Sequence, residues 1–364
     1  MRIGIIDADL IDGGTKFPNL ALMKISSFEK RKGNNVELIK YNQIGKFDKV
    51  YVSKVFDFTS VPDYIVNKNQ QLLFDPYPNT EIVKGGTGFH FDKAPSLDDE
   101  IEHHKPDYGL YDEYVRPKIE NGENKNKWKY YLDYDIGFTT RGCFRGCDFC
   151  VNRNKTKVCR HSQVEEFISE KNKYITLLDD NILGFGGWRK IIEKLMGTGK
   201  YFEYKQGMDM RLMTEEKAKI LNEAKYHGDY IFAFDNLKYK DDLIPKIKIW
   251  NKYKSKQTMF YVLCGFKGQG VDNIVETFER IKILMDLNCI PYIMRHKRYN
   301  KSKYRGIYVS LARWCNQRSF FKKLSFREFC EKTAECGSKS SLRYMKKFEK
   351  EHPLIANKYF DIKY

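Results

Sequence analysis

The stretch DIGFTTRGCFRGCDFCVNRNK, residues 135–155, joins a strand candidate to a loop rich in thiols. DIGFTT has the composition of a β-strand, and three cysteines follow it in the spacing C-x-x-x-C-x-x-C. They are Cys143, Cys147 and Cys150. Gly142 and Gly146 precede the first two of them, and glycine lets a backbone wrap closely around a bound group. The stretch therefore predicts a strand that leads directly into a ligand loop.

Strand and helix candidates alternate regularly after this loop. The later strand candidates are YITLLDD (174–180), FEYKQGMDMRL (202–212), YIFAFDN (230–236), TMFYVLCGF (258–266) and CIPYIMR (289–295). The helix candidates between them are a segment from Ser162 with a capping box at Glu165, then GWRKIIEKLMG, TEEKAKILNEAKYHG, DLIPKIKIWNKY and VDNIVETFERIKILMDLN. Six such units of roughly thirty residues predict a partial (β/α)6 barrel of the TIM type, open on one side, over residues 135–296.

The segment before the barrel, residues 1–134, also alternates between strand and helix candidates. RIGIID is an apolar strand candidate, and LALMKISSFEKRKG has helical spacing and closes on Gly33. NVELIKY, KVYVSKVFDF, DYIVN and EIVKGG continue as strand candidates. This order predicts a small Rossmann-like parallel sheet over about residues 1–110, followed by a polar connection. The loop after RIGIID has no G-x-G-x-x-G, so its signal for a phosphate site is weak.

Residues 297–364 form a third segment, predicted to be helical, basic and aromatic. Ser325 and Glu328 make a capping box for one helix, and SLRYMKKFEKEH predicts another that stops at Pro353. Of the net charge of +17, most lies at this end, since residues 291–364 hold 19 basic and 6 acidic side chains. The expected architecture is thus an N-terminal α/β domain, a partial barrel and a helical basic extension.

Composition narrows the class of protein. With 41% hydrophobic and 31% charged residues, the chain of 364 residues is expected to be globular. It has no apolar run long enough for a membrane span and no signal peptide, which predicts a cytoplasmic protein. Nine unevenly spaced cysteines in a reducing compartment favour metal ligation or catalysis over a disulfide framework.

Three thiolates suit a particular kind of metal site. The loop follows the first barrel strand, and barrels carry their reactive groups on the loops at the carboxyl ends of the strands. Four cysteines would close a cluster or a zinc site, whereas three leave one iron of a [4Fe–4S] cluster without a protein ligand. That iron can bind a substrate or cofactor.

Cys143, Cys147 and Cys150, with Phe149 before the last cysteine, resemble the signature of the radical S-adenosylmethionine (radical SAM) enzymes. The resemblance implies that SAM chelates the open iron through its amino and carboxylate groups. One electron from the reduced cluster then cleaves the sulfonium bond, and the resulting 5′-deoxyadenosyl radical abstracts a hydrogen from the substrate. An electron donor of the flavodoxin or ferredoxin type is implied as a partner, because a basic surface favours docking of an acidic protein.

The resemblance extends across residues 135–296. LLDDNILG, with Asp180 and Asn181, is similar to the family's second-strand segment near the SAM amino group. QGMDMRLMTEE is similar to its third-strand segment, in which Arg211 is a candidate for the SAM carboxylate or ribose. By the same likeness, the Phe149 backbone and Gly265 are expected near the adenine.

Several residues also have structural interpretations. The three cysteines could hold structural zinc, with Cys159 or His161 as the fourth ligand, in a non-catalytic nucleic-acid-binding protein. Asp179 and Asp180 could cap a turn, and Arg211 could form a structural ion pair. Cys264 and Cys289 fit a protein core. Cys315, Cys330 and Cys336 are candidates for a second cluster, although no two of them are closely spaced.

The N-terminal domain is similar to the cobalamin-binding domain of one radical SAM subclass. The family's cobalamin-ligating D-x-H-x-x-G is absent here, and no histidine precedes His90. The methylthiotransferase relatives carry three further cysteines in this domain, and residues 1–142 contain none. We therefore expect neither cobalamin nor methylthio transfer, and interpret the domain as degenerate, used for substrate binding or architecture.

Residues 295–323 interleave aromatic and basic side chains. The aromatic residues are Tyr299, Tyr304, Tyr308, Trp314, Phe320 and Phe321, and the basic ones are Arg295, Arg298, Arg305, Arg313, Arg318, Lys322 and Lys323. Cations on phosphates with aromatic rings for stacking make a nucleic-acid surface. The alternative is that the rings pack the segment against the barrel and the cations are solvated. A nucleic acid or nucleotide is the leading expected substrate, and a peptide or protein is the next.

Overall fold

The structure, a computed structural model, describes residues 1–66 and 76–364 of the chain. Within these residues it is a mixed α/β protein with three sheets of three or four strands. The strand pairs β1–β2, β1–β3, β3–β4, β5–β8, β10–β11 and β11–β12 of these sheets are parallel. The chain divides into two compact units. Unit 1 comprises Met1–Asp179 and Gly197–Phe202, and unit 2 comprises Asp180–Met196 and Glu203–Tyr364. The α/β class predicted from the sequence is confirmed.

Unit 1 begins with a four-stranded parallel sheet in the order β2-β1-β3-β4. Its strands are β1 (Arg2–Asp7), β2 (Asn35–Leu38), β3 (Lys49–Ser53) and β4 (Glu81–Gly85). Ile3, Ile5 and Ile6 of β1 are completely buried, as expected of a central strand that is covered on both faces. The strand order reverses between β1 and β3, and open α/β sheets bind ligands beside such a reversal.

Short helices surround this sheet. They are α1 (Ala8–Gly13), α2 (Leu20–Arg31), α3 (Asp63–Val66), α4 (Thr87–His90), α5 (Asp99–Glu102), α6 (Asp112–Glu120) and α7 (Lys129–Leu132), with 3₁₀ helices at Tyr41–Lys46, Phe91–Lys93 and Lys125–Trp128. The side chain of Asn19 caps α2 by accepting a hydrogen bond from the Leu22 amide, at 3.2 Å. Leu22, Met23 and Phe28 of α2 then pack in the core with β1.

The remainder of unit 1 contains the cysteines of the opening stretch. β5 (Tyr134–Gly137) pairs in parallel with β8 (Tyr174–Leu177), and β9 (Tyr201–Tyr204), which starts in unit 1, is the next strand of that sheet. The two-residue strands β6 (Thr140–Arg141) and β7 (Cys159–Arg160) form an antiparallel ribbon.

Unit 2 continues the alternation of helices and parallel strands. Its sheet is β10 (Tyr230–Ala233), β11 (Thr258–Cys264) and β12 (Ile290–Arg295). The intervening helices are α8 (Trp188–Gly197), α9 (Glu215–Glu223), α10 (Lys240–Asn251) and α11 (Val271–Asp286), with 3₁₀ helices at Ile182–Gly184, Met210–Leu212 and Leu237–Tyr239. Met208, after β9, pairs in parallel with Phe232 of β10.

The C-terminal part of unit 2 is helical, as predicted. It contains a 3₁₀ helix (Lys297–Lys301), α12 (Arg305–Cys315), α13 (Arg318–Phe321), α14 (Phe326–Glu335), α15 (Ser340–Glu351) and α16 (Pro353–Tyr359). The predicted capping box of α14 is present, since Ser325 and Glu328 each accept a hydrogen bond from the other's amide. Helix α16 was not predicted. Proline often follows the end of a helix, which is how Pro353 was interpreted, but it is equally favourable at the first position of a new helix.

Two local predictions are wrong. The DYIVN segment, expected as a strand, is the short helix α3 as far as Val66, and its last residue lies outside the described residues. The helix expected from Ser162 is only a 3₁₀ turn at Val164–Glu166, and the capping carboxylate is Glu166, which accepts from the Gln163 amide. A short apolar run does not distinguish helix from strand, and two adjacent glutamates left the capping position ambiguous.

None of the helices in residues 1–66 and 76–364 has the length and apolar character needed to cross a lipid bilayer.

Candidate functional site

The three cysteines lie in residues 142–158, which we call the cysteine loop. Its two ends are joined by the β6–β7 ribbon, in which Arg141 pairs with Cys159. Gly142 has a φ of 92°, and a Cβ added to it would lie 2.5 Å from the carbonyl oxygen of Lys157. Only glycine lets the two ends of the loop approach so closely.

Turns within the cysteine loop bring its second half back on itself. The Cys150 amide donates to the Cys147 carbonyl at 2.9 Å, and the Asn152 amide approaches the Sγ of Cys150 at 3.4 Å. Cys143, Cys147 and Cys150 are all half-buried. An N–H group directed at sulfur stabilises a thiolate, and such hydrogen bonds tune the potential of iron–sulfur clusters.

The three cysteines form a donor set that suits a soft metal. Three thiols within eight residues match the sulfur ligands of iron–sulfur clusters and of zinc. In the described part of the chain, no group of three His, Cys, Asp or Glu side chains is arranged to hold a metal ion. The chemistry of the three cysteines therefore fits the expected cluster.

Asp179 anchors the two residues, Thr139 and Thr140, that lead into the cysteine loop. Its carboxylate accepts hydrogen bonds from the amide and hydroxyl of Thr139, at 3.0 and 2.6 Å, and from those of Thr140, at 2.6 and 2.7 Å. Burial raises the pKa of Asp179, although these four hydrogen bonds act against the increase. The sequence allowed Asp179 to cap the turn that follows it, but the side chain instead fixes the chain after β5.

Glu102 links β6, at the start of the cysteine loop, to helix α2. Its carboxylate lies 2.9 Å from the ammonium of Lys24 on α2 and 3.2 Å from the guanidinium of Arg141 on β6. Burial favours the neutral acid, but the hydrogen bond with His161 and the charges of Lys24 and Arg141 outweigh it and lower the pKa of Glu102 to about 2. Sequence reasoning missed Glu102, since a glutamate in a short polar segment carries no signal of burial.

His161 is occupied by partners other than the cysteines. Its Nε2 lies 3.4 Å from Glu102, and its Nδ1 lies 3.0 Å from the hydroxyl of Ser162. Its ring also stacks on that of His103. These contacts do not favour His161 as the fourth ligand of a zinc ion, whereas Cys159 stays a candidate for that role.

The other cysteines do not form a second cluster in the structure. Cys315 and Cys330 are completely buried, and Cys336 is exposed. Burial raises the pKa of Cys330 to about 12 and also raises that of Cys315, which disfavours the thiolate that a metal requires. Cys264 and Cys289 are buried in the core, as expected.

The other residues expected around SAM are described in unit 2, except Phe149, which is a half-buried residue of the cysteine loop. Asp180 is half-buried, and Asn181 is buried and precedes the 3₁₀ turn at Ile182–Gly184. Arg211 forms a bidentate ion pair with Asp209, with N···O distances of 2.7 and 3.2 Å, and lies over the ring of Tyr239. The ion-pair interpretation of Arg211 therefore has direct support.

Lys217 joins the loops that carry Asn181 and Arg211. From the first turn of α9, its ammonium donates to the carbonyl of Leu183 at 2.9 Å and to that of Leu212 at 3.0 Å. Burial lowers the pKa of Lys217. It was not predicted, although the Thr214 cap places it in the first turn, from which a long side chain can reach both loops.

Gly265 follows β11 and is in close contact with Tyr299. It has a φ of 71°, and an added Cβ would lie 2.8 Å from the Cβ of Tyr299. Its amide donates to the Oδ1 of Asn273 at 2.8 Å. The backbone thus requires glycine here for a structural reason that is independent of any adenine.

Four of the six aromatic side chains predicted to stack on nucleic acid belong to the core. Tyr304, Tyr308, Trp314 and Phe321 are at most 6% exposed, so they cannot present a face to a base. Tyr299 and Phe320 remain half-buried. The aromatic rings mainly pack the helices, as the alternative interpretation held, and the basic side chains are left as the surface feature of this segment.

Comparison with known proteins adds no relative, since no family model matches the chain and no curated protein matches it.

Proposed function

We propose that this protein is a radical SAM enzyme that modifies a nucleic acid or its nucleotides. The observation that carries the proposal is the set of Cys143, Cys147 and Cys150 in one loop, five residues after the end of the parallel strand β5. The expected strands and most of the expected helices of residues 135–296 are present in order, which supports a partial (β/α)6 barrel. The order β2-β1-β3-β4 likewise supports a Rossmann-like N-terminal domain.

The three cysteines would hold a [4Fe–4S] cluster, and Asp180, Asn181, Arg211 and Gly265, with the Phe149 backbone, would place SAM. When bound, these groups supply a carbon-centred radical for hydrogen abstraction. The protein's own residues shape the loop: Gly142 closes it, the Asn152 amide approaches the Cys150 sulfur, and Asp179 anchors its start. Arg211 must share its guanidinium with Asp209 if it also binds the cofactor.

The charge of the C-terminal helices supports a polyanionic substrate. No Asp or Glu occurs between Asp286 and Glu328, a stretch that contains Arg295, Arg298 and Arg305. An uninterrupted set of cations attracts phosphates, and the same surface suits an acidic flavodoxin or ferredoxin as electron donor. We do not include cobalamin, because the N-terminal segment lacks the cobalamin-ligating D-x-H-x-x-G.

Anaerobic reconstitution with iron and sulfide tests the proposal. The purified protein is expected to be brown, to contain about four irons and to release 5′-deoxyadenosine from SAM when dithionite is added. Replacing Cys147 with alanine should remove both the iron and the product. Cys336→Ala is the matched control, because Cys336 is exposed and is not in the loop.

Cys159→Ala separates the cluster from structural zinc. A variant that keeps its iron and still forms 5′-deoxyadenosine agrees with three cysteine ligands. Colourless protein with one tightly bound zinc, lost in both Cys147→Ala and Cys159→Ala, would instead identify a closed four-ligand site and contradict the proposed enzyme.

A further inference from the structure

Helices α12 and α15 of unit 2 line an open cavity of about 220 Å³, which we call the α12–α15 cavity. Its lining includes Tyr299, Arg305, Ser310, Ser340, Ser341 and Tyr344. Gly306 makes room for one wall, because a Cβ there would lie 2.1 Å from the Cγ of Tyr344. The ring of Tyr344 can therefore lie directly against α12, where it forms part of the cavity lining.

Two arginines lie beside Tyr344: Arg305 is part of the cavity lining, and the guanidinium carbon of Arg343 lies 5.3 Å from the centre of the Tyr344 ring. Hydrogen bonding from Arg305 has the largest influence on Tyr344 and lowers its pKa, and Arg343 acts in the same direction. In residues 1–66 and 76–364, no carboxylate lies within 4.0 Å of the guanidinium of Arg305 or Arg343. A phenol is a weak counterpart for two guanidinium groups, so the pair is available to an anion.

The other polar side chains of the lining are the hydroxyls of serine and tyrosine and the neutral amide of Asn300. Ser341 is buried at the base, where its Oγ lies 3.3 Å from the guanidinium of Arg313 and 3.1 Å from the Oγ of Ser310. At the other side, Arg295 donates to the hydroxyl of Tyr299 at 3.0 Å. Both tyrosines of the lining thus contact arginine, which leaves the cavity electropositive.

The size of the cavity limits what it can hold. Sites for whole drug-sized ligands measure about 300–1,000 Å³, so 220 Å³ suits a phosphate group with part of its sugar and not a complete nucleotide. Guanidinium groups match phosphate oxygens in charge and geometry. The cavity is therefore suited to one phosphate of a larger molecule.

The surroundings indicate which molecule that is. Arg295, Lys297 and Arg298 are exposed on the chain that leads to Tyr299, and acidic residues are absent from the sequence between Asp286 and Glu328. Such a series of cations serves several phosphates, as in a polynucleotide, better than a single phosphorylated side chain. Gly265, which is packed against Tyr299, connects this region to the carboxyl end of β11.

We propose that the α12–α15 cavity binds a backbone phosphate of a single-stranded polynucleotide, with Arg305 of the lining as one ligand and Arg343, at the exposed rim beside Tyr344, as the other. The identification of this polynucleotide as a substrate rests on the function proposed above, but the binding itself does not. The site would hold the strand at unit 2 through one anchored phosphate while neighbouring cations contact the phosphates on either side.

Fluorescence anisotropy with the full-length reconstituted protein tests this site. The probe is a short fluorescein-labelled single-stranded RNA of mixed sequence, titrated at several salt concentrations. Arg305→Gln with Arg343→Gln is expected to weaken binding at least about tenfold, and to reduce the slope of log K against log salt by about 0.7, because one phosphate contact is lost. The control, Lys346→Gln with Lys347→Gln, removes the same charge from exposed positions of α15 and should cost less than about threefold.

A second variant protects the test against misfolding. Ser340 is exposed, so Ser340→Glu should fold normally while it adds a carboxylate at the rim and weakens RNA binding to a similar extent. Equal RNA affinity for the arginine and lysine double variants overturns the proposal. So does competition by inorganic phosphate or by a phosphoserine peptide as strong as that by unlabelled RNA. Formation of 5′-deoxyadenosine without RNA is measured separately, so failure of this site and failure of the enzyme assignment remain distinguishable.

Discussion

The carboxylate of Asp179 accepts hydrogen bonds from the amide and the hydroxyl of Thr140, at 2.6 and 2.7 Å. Asp179 lies just after β8, and Thr140 lies three residues before the first cysteine of the loop. The residue that follows β8 thereby fixes the position of the chain that leads from β5 to the cysteine loop. Because the carboxylate is 2% exposed and accepts four hydrogen bonds, its loss would leave four donors buried without a partner.

Asp179→Ala should therefore lower the free energy of unfolding by about 3 kcal/mol and reduce the iron bound after reconstitution. Urea denaturation and iron analysis measure the two effects. Asp241→Ala, at an exposed position in the first turn of α10, is the control and should cost less than about 1 kcal/mol. Equal losses in the two variants would refute the anchoring role.

Substitutions at two glycines, one in the cysteine loop and one outside it, can distinguish the cost of a positive φ from the cost of a steric overlap. Gly142 and Gly122 have nearly the same φ, 92° and 91°, but a Cβ at Gly122 would meet no atom within 4 Å. Gly122→Ala should thus cost about 1 kcal/mol, and Gly142→Ala about 2 kcal/mol more, because its methyl group would overlap the Lys157 carbonyl.

Iron content after reconstitution completes this comparison. It should fall in Gly142→Ala and stay unchanged in Gly122→Ala. If the two variants unfold at the same urea concentration and bind the same iron, the tight closure of the loop has no energetic importance.

The pair Lys24–Glu102 should contribute far more than a surface ion pair. Lys24 and Glu102 have side chains that are 5% and 15% exposed, so removing one leaves the other charge buried. A double-mutant cycle with Lys24→Met and Glu102→Gln is expected to give a coupling energy of about 2 kcal/mol or more. The same cycle for the exposed pair Arg31–Glu100, 3.9 Å apart, should give less than about 1 kcal/mol.

The free energy of unfolding should also depend on pH through the ionisation of Glu102. Its pKa of about 2 lies below the ordinary value of 4.5, so its contribution to stability is complete above pH 4.5 and is lost as the pH falls towards 2. Glu102→Gln should therefore unfold with a smaller dependence on pH in that range. A coupling energy near zero, or an unchanged acid dependence, would contradict this account.

Asp7 predicts a pH effect of the opposite sign. Burial raises the pKa of Asp7 from 3.8 to about 6, although hydrogen bonds from the Tyr111 hydroxyl and the Leu10 amide oppose the increase. Between pH 4 and 6 the folded protein holds a proton at Asp7 that the unfolded chain has released. Stability must therefore fall as the pH rises through this window, by about 3 kcal/mol from this group.

Asp7→Asn cannot ionise and should remove that dependence. The difference in unfolding free energy between the wild-type protein and Asp7→Asn, measured in urea at pH 4 to 8, isolates the contribution of this carboxyl group. It should shift in favour of the variant from pH 4 to pH 6 and then stay constant. A difference that does not vary with pH would show that Asp7 ionises normally.

Much of the fold could be predicted from the sequence, because its signals are local. The apolar strand at Arg2–Asp7, the capping box of Ser325 and Glu328, and the helix at Val271–Asp286 each depend on residues within one element. The helix at Ser162 and the strand at DYIVN were predicted wrongly, since both segments are short and their patterns fit more than one structure.

The candidate site shows the same division. The spacing of Cys143, Cys147 and Cys150, and the glycine before the first, are properties of adjacent residues, so the sequence by itself determined that one loop carries three thiols. Only the tertiary structure decided that Asp179 and Glu102 support this loop, that Arg211 pairs with Asp209, and that most aromatic rings of the C-terminal segment are buried. These outcomes depend on which side chains meet across distant segments and on the burial that results, and one-dimensional patterns encode neither.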